Sequence, residues 1–134
     1  MGGLYNIIKA VHNAVGGLTL LLTIAATVLL LTTRRTSSGS SAIILRADLI
    51  SGSLQFVLGL LLVVISFITG IGYGAQLWVH YLLGIASVGL ISVLVARARR
   101  APDSEARRYG LLLLAVAVLV LITFTVGQRK LFAT

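Results

Sequence analysis

LYNIIKAVHNAVGGLTLLLTIAATVLLLTT, residues 4–33, carries one formal charge, Lys9, before Arg34-Arg35 closes it. About 20 residues of α-helix, rising 1.5 Å each, cross the roughly 30 Å hydrocarbon core of a bilayer. The stretch therefore predicts one membrane-crossing helix over residues 4–33. Three more runs of the same kind follow at 47–70, 75–98 and 109–126. The expected fold class is an all-α integral membrane protein, a four-transmembrane-helix bundle forming a single domain over residues 1–134.

Composition leads to the same class. With 58% hydrophobic and 10% charged residues, the chain lacks the polar surface that a water-soluble globule needs. Four crossings use most of its 134 residues, so no separate soluble domain is expected. The absence of Cys excludes disulfides, thiolate metal sites, iron–sulfur clusters and thioether haem attachment. Met1–Tyr5 has no basic n-region and no A-x-A site follows, so the first run reads as a retained helix rather than a signal peptide.

The connections are short. Thr36–Ser41 reads as a flexible Ser/Gly turn, and Gly70-Ile71-Gly72-Tyr73-Gly74 as an uncharged glycine-rich one. The third contains Pro102, Asp103 and Glu105 between Arg97, Arg99, Arg100 and Arg107, Arg108. Basic residues mark the side of the membrane that is not translocated. Arg34, Arg35 and Arg46 flank the first loop and five arginines the third, against Lys9, Arg129 and Lys130 on the other side. Loops 1–2 and 3–4 are therefore expected in the cytoplasm, with both termini on the outer side of a cell membrane. The net charge of +8 then serves topology and is not a nucleic-acid footprint.

His12 and His80 are the only histidines, and each lies near the start of an apolar run. An ionisable side chain at that depth is costly, which makes it a functional candidate. Both stand in the pattern H-x3-G-x2-[ST]: His12, Gly16 and Thr19, then His80, Gly84 and Ser87. Spacings of four and seven residues put each triplet on one helix face. In the predicted topology spans one and three run in the same direction, with both imidazoles about 8–12 Å below the outer helix ends. Facing each other across a bundle, they can supply two axial nitrogens to one planar group, for which haem is the candidate. The small residues leave room for a macrocycle, and they equally mark close helix packing with no cofactor.

Haem propionates require basic or hydrogen-bonding partners at the wet end of a site. Lys9, one turn before His12, is the leading candidate, with Arg129 and Lys130 returning to the same side. Tyr73, Gln76 and Trp78 flank the entrance to span three, Trp78 and Lys130 reading rather as interfacial anchors. In span two, Gly52, Gln55 and Gly59 form a stripe at helical spacing. Gln55 is expected to face the interior, bonding either a neighbouring helix or the haem edge. Asp48 is expected to pair with Arg46 or Arg35.

The succession of His12, then Leu54-Gln55-Phe56-Val57-Leu58-Gly59 with Val63-Val64, then Val79-His80-Tyr81-Leu82-Leu83-Gly84 resembles one four-helix half of haem A synthase. The resemblance covers about residues 8–100. It implies a four-helix bundle with a pair of His on two parallel helices. That family carries a catalytic Glu three positions before the first His, often an Arg after it, and often an extracellular Cys pair. This chain has Lys9 and Asn13 at those two positions, and no Cys. The resemblance therefore implies the cofactor-holding part without the catalytic acid.

There is no Ser/His/Asp set, no HExxH and no phosphate-cradling loop, and two His make a poor zinc site. The reading favoured by these residues is a membrane b-type cytochrome. His12 and His80 hold one haem b, and the protein is an electron carrier rather than a catalyst, alone, as a homodimer or within a larger membrane complex. The alternatives are a cofactor-free structural or assembly subunit, and a half-size haem A synthase-like enzyme that dimerises.

Overall fold

Each apolar run forms one helix. The computed structural model describes residues 2–36, 39–70 and 75–128. The helices are α1 (Gly2–Thr33), α2 (Gly39–Thr69), α3 (Ala75–Arg100) and α4 (Ala106–Gln128), with a single 3-10 turn at Asp103–Glu105. All four are long and apolar enough to cross a membrane. The one proline, Pro102, stands in a loop and breaks no helix. Large apolar side chains face outward on every helix, Leu21, Ile43, Leu82 and Leu121 among them.

The helix ends explain where the sequence reading and the fold differ. α2 begins at Gly39, well before the expected start at 47, so Gly39–Ser41 belongs to the helix and not to a flexible turn. The connection before it is also anchored. Thr36 is fully buried; its N–H and Oγ1 donate to Asp103 Oδ1 at 2.9 and 3.1 Å, and its Oγ1 to the Ala101 carbonyl at 2.6 Å. The first loop is thus clasped to the third. α2 ends as the sequence predicts, on Gly70 at φ 73°, whose N–H donates to the Ser66 carbonyl at 2.8 Å. That left-handed cap is a conformation that glycine adopts without the Cβ penalty other residues meet.

α1 packs on α2 and α4, and α3 packs on the same two helices. With alternating helix directions, α1 and α3 run parallel and face each other across the bundle. The two described loop segments, with the arginines, lie at one end, here the basic end; the start of α1 at Gly2 and the end of α4 at Gln128 lie at the other, the open end. Towards the basic end the core is dense, with Leu30, Leu45, Val95, Ala98, Ala106 and Leu113 all at 0% exposure. Gly110 lets α1 and α4 come close there, since a Cβ on it would stand 2.7 Å from Leu31 Cδ2 and 3.3 Å from Leu30 Cβ. Towards the open end a smaller cluster, Tyr5, Leu62 and Ile65, leaves the interior partly unfilled.

Candidate functional site

The unfilled interior is a cavity of about 200 Å³ lined by all four helices. His12 from α1 and His80 from α3 meet inside it, their ring centroids 6.0 Å apart and their planes at 87°. They come together because α1 and α3 lie opposite each other and each His sits on its helix's inward face. Gly16, Gly84, Gln55 and Lys9 line the same cavity, Lys9 as an exposed side chain at its rim. Thr19 and Ser87, the hydroxyl positions of the repeated pattern, also line it. Arg129, Lys130, Tyr73 and the side chain of Gln76 lie outside the described residues. Trp78 packs edge-on against Phe67 and Tyr81 at 6.1 and 5.7 Å and does not line the cavity.

Hydrogen bonds distinguish the two rings. His80 Nδ1 lies 2.9 Å from the Thr123 carbonyl, which can only accept, so Nδ1 carries the proton and Nε2 keeps a lone pair. His12 Nε2 lies 3.3 Å from Gln55 Nε2, an amide donor, so Nε2 accepts and Nδ1 is protonated. The interhelical role expected for Gln55 is therefore realised, with His12 as its partner. His12 Nδ1 and Gln55 Oε1 are buried and have no partner. Such atoms cost about 1–3 kcal/mol each when left unmade.

Three glycines shape the walls. A Cβ on Gly59 would stand 3.3 Å from His12 Cε1, and one on Gly16 would stand 2.9 Å from Gln55 Nε2. A Cβ on Gly84 would reach Thr123 Cγ2 at 3.9 Å, an ordinary contact. Gly16 and Gly59 thus hold the space that His12 and Gln55 occupy.

Asp48 does not pair with Arg46 or Arg35. It is at 0% exposure, and both its oxygens accept from Thr23 Oγ1, at 2.8 and 3.1 Å. Two residues along a helix is more than half a turn, so Arg46 points away on the exposed face while Asp48 points in. Among the described residues the one ion pair is Arg108–Glu105, on the surface.

No protein-family model, curated protein or solved structure matches this chain. The site has therefore to be read from its own chemistry. Sequence reasoning passed over Thr123 and the Thr19–Ser51 contact, whose hydroxyl oxygens are 2.6 Å apart. A hydroxyl residue within an otherwise apolar run is the signal that points to the second; the Thr123 carbonyl that meets His80 has no such signal. Among the described residues no third His, Asp or Glu joins the pair.

Proposed function

We propose that this protein is a multi-pass membrane b-type cytochrome that holds one haem between His12 and His80. The observation that carries the reading is the histidine pair itself, 6.0 Å apart on opposite, parallel helices within a cavity. Two axial nitrogens at about 2 Å from one metal ion put their ring centroids about 6 Å apart. The protonated Nδ1 of His80 supports the same reading, because a ligating imidazole normally donates its other N–H to a carbonyl or carboxylate.

Ligation through His12 Nε2 would take the place of that nitrogen's contact with the Gln55 amide. The cavity, about 200 Å³ as the helices stand, has to widen for a macrocycle, and the glycines at 16, 59 and 84 mark where it widens at least cost. Lys9 at the rim is placed to meet a propionate. Thr123 keeps His80 oriented, and the Leu and Phe walls keep bulk water from the ring faces. Haem held by two imidazoles supplies one-electron chemistry and leaves no coordination position for oxygen. The arginine-rich end supports placement in a cell membrane with loops 1–2 and 3–4 in the cytoplasm.

A cofactor-free packing subunit would account for the small residues but not for two histidines brought together from opposite helices inside a cavity. The test is the reduced-minus-oxidised absorption spectrum of detergent-purified protein, with a pyridine haemochrome assay for the haem type. A low-spin spectrum is expected, lost in His12→Ala and in His80→Ala while both variants still insert. A normal six-coordinate spectrum in either variant, or none in the wild type supplied with haem, would overturn the reading.

A further inference from the structure

The bundle consists of two hairpins built alike, and one of them carries buried polar groups that the other does without. His12 and Gln55 are 43 residues apart, and so are His80 and Thr123. The offset that takes His12, Gly16 and Thr19 to His80, Gly84 and Ser87 also takes Gln55-Phe56 to Thr123-Phe124 and Gly59 to Gly127. At that offset Thr23, Asp48 and Ser51 correspond to Ile91, Val116 and Leu119. Ile91 and Val116 are buried in the apolar core. The second hairpin thus packs the same level without polar groups, so packing alone does not explain those of the first.

Asp48 is fully buried. Thr23 is its single donor, and that hydroxyl's one proton also faces the Thr19 carbonyl at 2.8 Å. Towards the basic end, Leu30, Leu45, Ala98, Ala106 and Leu113 close the interior at 0% exposure. The charged groups nearest its level, Arg46 on α2 and Arg97 on α3, are exposed and make no ion pair with it. α1 has no charged residue between Lys9 and Arg34, and α4 none from Tyr109 to Gln128. Tyr109 on α4 is the other buried titratable side chain towards the basic end, and His12 and His80 stand in the cavity. On the cavity side of Asp48 stand Thr23, whose hydroxyl also faces the Thr19 carbonyl, and then the Thr19–Ser51 hydroxyl pair, with Thr19 lining the cavity.

We propose that Asp48 is a proton-binding site reached from the cavity side, where polar side chains replace the apolar packing of the basic end, and that one-electron reduction of the haem is accompanied by proton uptake at this carboxylate. The coupling rests on the haem reading above. An external one-electron reductant gives up the electron, which stays on the iron as ferric becomes ferrous. The proton comes from water at the cavity mouth and forms an O–H bond on the carboxylate. One positive and one negative charge enter together, so the bundle's net charge is unchanged, which lowers the cost of placing an electron in a poorly polarisable interior. Gly59 touches His12, and eleven residues of α2 separate it from Asp48, about 16 Å along the axis. At an effective dielectric of about 20 that distance strengthens proton binding about sixfold on reduction. The corresponding limit on the midpoint potential is about 45 mV.

Two measurements test this. In haem-free protein, infrared spectroscopy with Asp48→Asn as the assigning variant should show a carboxyl band that interconverts reversibly with carboxylate within the pH range over which the protein stays folded. Asp48→Asn keeps an acceptor for Thr23, so it is expected to fold. A band fixed over that range overturns the proposal. In haem-loaded protein, potentiometric titration with dithionite should give a midpoint that falls with rising pH, by up to about 45 mV, in the wild type and stays flat in Asp48→Asn. The same pH dependence in both proteins overturns the coupling. A protein that takes up no haem overturns the cytochrome reading and the coupling with it, while the infrared titration still decides whether Asp48 exchanges protons.

Discussion

At the scale of single residues, the two histidines are held differently although their hydrogen bonds imply the same tautomer. Thr123 accepts from His80 Nδ1 and fixes that ring, whereas His12 is held only by the Gln55 amide and by the space that Gly59 leaves beside it. Gly59→Val is therefore a selective lesion. Even a Cβ would stand 3.3 Å from His12 Cε1, and a branched side chain in that place drives the ring away. The expected outcome is haem bound through His80 alone, seen as a high-spin five-coordinate spectrum in place of the low-spin one. A low-spin spectrum like the wild type's would show that Gly59 does not position His12. The histidines were legible in the sequence because ionisable side chains stand out in apolar runs. Thr123 was not, because it contributes a main-chain carbonyl, which every residue has.

At the scale of helices, apolar run length located all four elements, since a run of about 20 such residues has few other uses. The start of α2 was not legible. Gly39, Ser40 and Ser41 have the composition of a turn, yet the clasp of Thr36 onto Asp103 shortens the connection and Ser41 bonds Thr33 across it, oxygen to oxygen at 3.2 Å. Asp48 was misread for a related reason, as nearness in sequence to Arg46 says nothing of helix face. Close approach of helices is equally invisible until they are packed, and Gly110 is the clearest instance. Gly110→Ala brings up to about 1 kcal/mol of helix propensity. Against it stands overpacking on Leu30 and Leu31, typically about 1–3 kcal/mol. Because the clash reaches Leu30 Cβ as well as the movable end of Leu31, overpacking should win. A lower thermal unfolding midpoint in detergent is expected, and a higher one would mean that α1 and α4 separate at little cost.

At the scale of the molecule, the offset that carries the first hairpin onto the second also carries His12 onto His80, so each hairpin presents one imidazole to the cavity. The departure from symmetry lies deeper, where Thr23 and Asp48 stand against Ile91 and Val116. This contrast separates what the fold needs from what the proposed proton site needs. A buried polar pair replaced by well-packed apolar residues is often neutral or stabilising, whereas removing one partner alone leaves the other unsatisfied. Thr23→Ile/Asp48→Val installs in the first hairpin what the second already uses, and both partners leave together. The double variant should keep its thermal midpoint within the equivalent of about 1 kcal/mol, or raise it. It should also bind haem as the wild type does, because neither residue lines the cavity. The expected loss is confined to the pH dependence of the potential. A double variant that fails to fold would assign Thr23 and Asp48 to the architecture, with the two hairpins alike around the cavity but unlike in what holds them together beneath it.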